Sequence, residues 1–264
     1  MCLILLALQA HPRYRLIVAA NRDEFYARPA RPAGFWEDAP HILAGRDLQE
    51  GGTWMGLTRT GHLAMLTNIR DPSAHKPEAP SRGRLVADYL VSEPDPQVYL
   101  QRLEAIGPAS NGFNLVFGQA GALFYYSNRL GSGRCVSPGI HGLSNDSLDS
   151  SWPKVVWGKE RLAGIVNQGK AIAFEDLLDV LSDQSRPPDE LLPDTGVGLD
   201  KERMLSPIFI ASPDYGTRCS TIMLIDQDGW VEFLEKTHDP PGQKKGAPAG
   251  GAPEVHFRFQ LQPM

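Results

Sequence analysis

The chain opens with two apolar runs, residues 3–10 and 16–20, separated by a short turn around His11-Pro12-Arg13. Two extended apolar runs joined so briefly form an antiparallel hairpin, and strands apolar at nearly every position are buried on both faces. A hairpin returns the chain to where it began. The polar block Asn21-Arg22-Asp23-Glu24, which follows the second run directly, is therefore expected close to the residue at position two, a cysteine.

Further along, residues 28–40 carry Pro29, Pro32 and Pro40 and read as an irregular surface loop. Gly51-Gly52 marks a turn, and residues 53–59 and 62–67 form a second hairpin around Thr60-Gly61. Residues 81–91 predict a helix with Ser81 as its cap and Leu85, Val86, Tyr89 and Leu90 on one face, and 98–106 continue helically. Residues 113–118 and 122–127 are strands, and 139–143 is a short strand ending at Ser144-Asn145. A helix starts near Ser151 with Pro153 in its first turn and Val155, Leu162, Ile165 and Val166 on one side; 174–181 is another. The stretch 184–198, rich in proline and acid, reads as a loop, and the last third as strands at 207–211, 220–226, 230–236 and 255–261. Between the last two, residues 239–253 are dense in Pro, Gly and Lys and read as a mobile hairpin loop inside one domain spanning 1–264. Strands first, helices in the middle and strands last predict a layered α+β fold.

Several function classes are disfavoured. A net charge of -5 is the wrong sign for a general nucleic-acid binder. No apolar run is long enough to cross a bilayer, so no stable membrane insertion is expected. The apolar start has no basic segment before it and no small-residue cleavage site after it, so it reads as a buried strand and not a signal peptide. The three cysteines, Cys2, Cys135 and Cys219, are far apart and odd in number, which makes a reducing cytoplasm the expected location. Phosphate-binding glycine loops are missing, and Gly142-Leu143-Ser144-Asn145-Asp146 lacks the second glycine of a nucleophile elbow. The seven histidines include no pair at metal-ligand spacing, so neither a metal nor another cofactor is expected.

Cys2 is the sharpest chemical feature. A small second residue permits removal of Met1, which would leave Cys2 with both a thiol and a free α-amine. That amine titrates near pH 8, at roughly 7.7–8.0, and can take the thiol proton. Taken alone, a small cysteine in an apolar strand is more often buried and inert. Further residues supply what amide cleavage needs. Asn68 and Asn145 end apolar runs and could donate to an oxyanion; as turn caps they would be ordinary. Asp23 could orient the amine, and Arg22 or Arg218 could lower the thiol pKa; Arg22 and Asp23 could equally form a surface ion pair.

At these residues the sequence resembles the NRDE family, the transport and Golgi organisation protein 2 group. The matching blocks are Asn21-Arg22-Asp23-Glu24-Phe25, Gly51-Gly52-Thr53-Trp54-Met55-Gly56, Leu66-Thr67-Asn68-Ile69-Arg70 and Gly142-Leu143-Ser144-Asn145. Ser151-Trp152-Pro153-Lys154-Val155 and Tyr215-Gly216-Thr217-Arg218-Cys219-Ser220-Thr221 complete the set. That family is similar to the penicillin V acylase and bile salt hydrolase branch of N-terminal-nucleophile hydrolases. The resemblance implies an αββα four-layer sandwich. It puts the nucleophile at Cys2, the oxyanion asparagines at Asn68 and Asn145, and the late arginine at Arg218. The carboxylate falls at Asp23 or Glu24, because the order Asn-Arg-Asp-Glu departs from the Arg-Asn-x-Asp of that branch. The implied activity is cleavage of a linear amide, or acyl transfer, by an N-terminal cysteine. The alternative is a non-catalytic carrier that holds haem or an acyl or lipid ligand in the same pocket.

Overall fold

The computed structural model describes residues 2–241 and 254–262. In chain order the elements begin with β1 (Cys2–Leu8), β2 (Tyr14–Phe25), β3 (Ala30–Phe35), β4 (Ile42–Asp47), β5 (Met55–Thr58) and β6 (His62–Asn68). Helices α1 (Gly83–Ser92) and α2 (Pro96–Ile106) follow, then β7 (Phe113–Gln119), β8 (Ala122–Ser127), β9 (Ser132–Cys135) and β10 (Gly139–Leu143). Next come α3 (Pro153–Val166), α4 (Phe174–Leu181) and α5 (Leu199–Leu205), and last β11 (Tyr215–Asp226), β12 (Trp230–Thr237) and β13 (Glu254–Gln260). The strands form two sheets, ordered β10-β1-β2-β11-β12-β13 and β3-β4-β5-β6-β7-β8-β9. Every pairing between described strands is antiparallel.

The N-terminal hairpin explains the layering. Side chains alternate across a strand, so each of the two strands feeds two cores. Ile4, Leu6, Leu8, Leu16, Val18 and Ala20 pack between the sheets with Met65, Val116, Met223 and Phe233. Leu3, Leu5, Ala7, Ile17 and Ala19 pack outward under α3 and α4, against Val155, Leu162, Leu177 and Leu181. The second sheet is covered likewise by α1 and α2, through Val86, Tyr89, Leu90, Tyr99 and Leu103. Each fully buried leucine or valine is worth about 1.5–3 kcal/mol of transfer free energy, so both faces of β1 and β2 contribute to holding four layers together. This is the expected αββα sandwich.

The structure differs from the sequence expectation in several places. Residues 28–40 are not wholly irregular, because β3 runs through them. It is an edge strand with a register shift between Arg31 and Gly34, and an edge with a bulge is where a strand tolerates proline. β4 and β9 were not signalled: β9 is a polar edge strand, Ser132-Gly133-Arg134-Cys135, without apolar alternation. Residues 207–211 form no strand; their apolar side chains Ile208 and Ile210 are buried, but the segment has only an isolated bridge, Ala211 to Gly216. Ser81 does not cap α1, whose N-terminal flanking residue is Arg82 with no side-chain cap bond. Of the predicted hairpin loop 239–253, residues 242–253 lie outside the described residues.

One consequence places the site. β2 does not stop before the polar block but continues through it to Phe25. Asn21, Arg22, Asp23 and Glu24 are therefore strand residues whose side chains alternate between the two faces of the sheet. Arg22 and Glu24 continue the row of Leu16, Val18 and Ala20 that faces the other sheet. Asn21 and Asp23 continue the row of Ile17 and Ala19 that faces the helices.

Candidate active site

Cys2 starts β1 and lies directly opposite Arg22 of β2; Arg22 in turn lies opposite Cys219 of β11. The three side chains make one row across the inner face of the sheet. The backbone N–H of Asp23 hydrogen-bonds the Cys2 thiol. Burial nevertheless pushes the thiol above its ordinary value; the Asp23 charge adds to this, while Arg22 pulls the other way. The lowered thiol pKa expected from a nearby cation is thus not what the fold produces, because desolvation outweighs the N-terminal ammonium and the Arg22 guanidinium together. Cys219 is pushed well above its ordinary value, first by burial and then by Glu235. A prediction follows for alkylation with iodoacetamide read by peptide mass. At neutral pH the exposed Cys135 reacts first and Cys219 slowest, and the Cys2 rate climbs as the pH is raised. Labelling of Cys219 ahead of Cys135 would contradict this account of burial.

Asp23 points to the helix side, where it is 1% exposed. The Thr217 hydroxyl donates to its Oδ1 at 2.7 Å, and the Tyr215 hydroxyl donates to its backbone carbonyl at 3.0 Å. Burial pushes its carboxyl upward, against the pull of Lys154, Thr217 and Arg70. Lys154, in the first turn of α3, is itself buried, and its ammonium makes no direct hydrogen bond among the described residues. Burial brings Lys154 down to about 8, opposed chiefly by Asp23. Arg70 donates to Glu202 Oε2 at 2.5 Å with both side chains almost wholly enclosed, and its guanidinium lies over the Trp152 ring. Two carboxylates and two cations are therefore gathered beneath the start of β1.

Asn68 ends β6 and lines the same cleft as Cys2, and its side-chain amide makes no hydrogen bond among the described residues. Asn145 is 1% exposed and does not line the cleft. Its Nδ2 donates to the Asn68 carbonyl at 2.8 Å, and its own carbonyl accepts from the Arg70 N–H at 2.8 Å. The Ser144 hydroxyl lies 3.2 Å from both the Asn145 Oδ1 and the Cys2 carbonyl. Asn145 thus ties Asn68, Arg70 and the start of β1 together from below.

Arg218 owes its position to a β-bulge. Thr217 pairs with Asp23 and Cys219 with Arg22, so Arg218 is the extra residue, turned off the regular alternation. Its Nη1 donates to the carbonyls of Phe25 at 2.9 Å and Arg28 at 3.0 Å. Cys2, Arg22, Asp23, Asn68 and Arg218 all line one cleft of about 320 Å³, bounded by both sheets and by the segment that precedes α1. That segment is seated by two glycines. A Cβ on Gly52 would lie 2.5 Å from the Gly83 carbonyl carbon, and the Thr53 N–H donates to the Gly83 carbonyl at 3.2 Å. Only glycine allows this backbone approach, which brings Arg82 over the cleft.

Of the six residues singled out from sequence, Cys2, Arg22, Asn68 and Arg218 meet in the cleft, Asp23 borders it with its carboxyl turned to the helix side, and Asn145 stands behind Asn68. Sequence reasoning assigned no role to Arg70, Arg82, Lys154, Thr217 or Glu235. Arg70, Lys154 and Thr217 sit inside the blocks already noted, next to residues that were picked, and that adjacency was the available signal. Arg82 and Glu235 carried none. Among the described residues, no three His, Cys, Asp or Glu side chains cluster as a metal site would require. None of their helices is long and apolar enough to cross a membrane.

A sequence model of the transport and Golgi organisation 2 family matches residues 1–240. The chain belongs to the transport and Golgi organisation 2 family. The Bos taurus transport and Golgi organization protein 2 homolog is 38% identical over 257 residues, covering 90% of this chain and 93% of its own. The Homo sapiens homolog is 38% identical over 258 residues, with the same coverage. The Drosophila melanogaster protein is 29% identical over 282 residues, covering 92% of this chain and 95% of its own. Among solved structures, a mutant conjugated bile acid hydrolase from Clostridium perfringens has a TM-score of 0.52 at 8% identity. It covers 99% of this chain and 92% of that one. A second variant of that enzyme gives 0.52 at 10% identity, covering 100% and 98%. At such identity the likeness establishes fold alone: this member of the transport and Golgi organisation 2 family has the N-terminal-nucleophile hydrolase fold.

Proposed function

We propose that the chain is an N-terminal-cysteine hydrolase that cleaves a linear amide, or transfers its acyl group, through a thioester on Cys2. The observation that carries this reading is the position of Cys2. It stands at the first residue of the first strand, opens to the cleft, has the Asp23 N–H on its sulfur, and shares that cleft with Asn68 of the other sheet.

With Met1 removed, the Cys2 α-amine takes the thiol proton as sulfur attacks the substrate carbonyl carbon. The amine is the local base. The tetrahedral oxyanion takes donors from the Asn68 amide, which Asn145 holds in place. The C–N bond then breaks, the leaving nitrogen takes the proton back from the α-ammonium, and water or a second nucleophile cleaves the thioester. Asp23 orients the amine from the helix side, and the cations Lys154 and Arg70 keep the surrounding charge close to balanced.

The carrier alternative uses the same cleft. Among the described residues no histidine lines it, which leaves the sulfurs of Cys2 and Cys219 as its soft ligands for haem iron. Two preparations distinguish the readings: one with Met1 removed, and one in which an added N-terminal extension blocks the amine. Release of amine from a series of N-octanoyl amides is expected only from the first. Equal release from both would remove the amine from the mechanism.

A further inference from the structure

The cleft holds more positive charge than its own carboxylates neutralise. Arg28 engages Asp47 at 2.5 Å and reaches Glu24 at 4.0 Å. Arg46 pairs with Asp38, outside the cleft. Arg22, Arg31, Arg82 and Arg218 also line the cleft, and none of them forms an ion pair among the described residues. Of the remaining acids, Asp23 is bonded by Thr217 on the helix side. Glu235 is buried, accepts from the Ala33 N–H at 2.7 Å, and is pushed by burial toward its neutral form. Among the described residues, only Glu50, which is exposed, is an acid of the cleft that none of these contacts engages.

The unpaired arginines are held in place. Arg82 is anchored by Nη1 to the Gly112 carbonyl at 2.9 Å, and Arg218 by Nη1 to two carbonyls, so in each the rest of the donor fork is left over. Both lose hydration, and burial lowers their pKa in each case. Arg22 makes no hydrogen bond among the described residues and lies directly opposite Cys2. Arg82 lines the same cleft as Cys2 and Glu24. Half-buried guanidinium groups bonded only to neutral carbonyls are a poor arrangement for an empty cleft and a good one for binding an anion.

We propose that the cleft recognises an anionic group, a carboxylate or a phosphate, carried by the substrate close to the bond that Cys2 attacks, with Arg82 as its principal contact and Arg22 and Arg218 beside it. The inference rests on the reading of the cleft as a substrate site, but not on turnover. The apolar remainder, Trp54, Leu66, Ala79 and Pro80, leaves room for a short acyl chain.

The test is calorimetric binding to Cys2→Ala protein, which can form no thioester, with matched pairs of probes. N-octanoylglycine is compared with the neutral N-octanoylglycinamide, and N-octanoyl-O-phosphoethanolamine with the neutral N-octanoylethanolamine. The anionic member of at least one pair is expected to bind about tenfold tighter or more at low salt. Arg82→Gln in the same background collapses that preference, and whichever pair shows the larger gap identifies carboxylate or phosphate. Equal affinities within both pairs, a failure of every anionic probe to bind, or a preference untouched by Arg82→Gln in protein of unchanged thermal stability would overturn the proposal. A retained preference with no cleavage of any probe by the unmutated protein would instead count against the hydrolase reading alone.

Discussion

Cys2→Ala protein is expected to fold normally and to lose at least about a thousandfold of whatever amidase or acyl-transfer rate the unmutated chain shows, since the variant has no nucleophile left. The fold survives because little packing is lost. Cys2 lines the cleft at the first position of β1, while Ile4, Leu6 and Leu8 carry that strand's contribution to the inter-sheet core. Cys135→Ala and Cys219→Ala serve as controls. Cys135 is exposed on an edge strand far along the second sheet, and Cys219, though in the cleft, is held protonated by burial and Glu235. Both controls should keep most of the rate. Loss of activity in Cys219→Ala with retention in Cys2→Ala would transfer the nucleophile to the wrong strand for this account.

The second large effect is on stability. Glu202→Ala is expected to cost about 3–5 kcal/mol, read as a lower urea midpoint at constant slope. Glu202, in the short helix α5, is 3% exposed. One carboxylate oxygen accepts from Arg70 at 2.5 Å, and the other from the Thr195 backbone N–H at 2.9 Å and hydroxyl at 2.5 Å. Truncation takes the carboxylate from a nearly enclosed guanidinium and leaves the Thr195 donors unmatched, which is much costlier than losing a surface pair. The cluster with Asp23 and Lys154 would also become more positive. A change below about 1 kcal/mol would mean that the ion pair is more solvated than its enclosure implies.

How much of this was legible in the sequence depends on the length scale of each signal. The N-terminal hairpin announced itself, because β1 and β2 are buried on both faces and so are apolar at nearly every position. The helices with a one-sided stripe, such as α1 with Leu85, Val86, Tyr89 and Leu90, were equally readable. β3 and β9 were not: an edge strand has one partner, tolerates proline, and needs no apolar alternation. Residues 207–211 show the reverse error, since burial makes a segment apolar whether or not it finds a strand to pair with.

The candidate site divides the same way. That Asp23 comes near Cys2 followed from the hairpin alone. Its facing the helix layer while Arg22 faces the cleft depends on β2 running on through the polar block, which a change from apolar to polar residues concealed. The position of Arg218 depends on a bulge, one extra residue against β2, and nothing in its own sequence marks it. The direction of the thiol pKa is not legible in the sequence, because nearby cations can be counted there whereas desolvation depends on the packed surroundings. Arg82 reaches the cleft only through the contact between the backbones at Gly52 and Gly83, which are far apart in the chain.

The central claim is that Cys2 becomes the N-terminus and carries an acyl group. Intact mass followed by peptide mapping tests both parts on one sample, before and shortly after exposure to octanoyl p-nitroanilide. The account predicts a chain lighter than the full sequence by one methionine residue, and after exposure an octanoyl group on the peptide that begins with Cys2. A chain that keeps Met1, or an acyl group found on Cys135 while Cys2 stays unmodified, would contradict it.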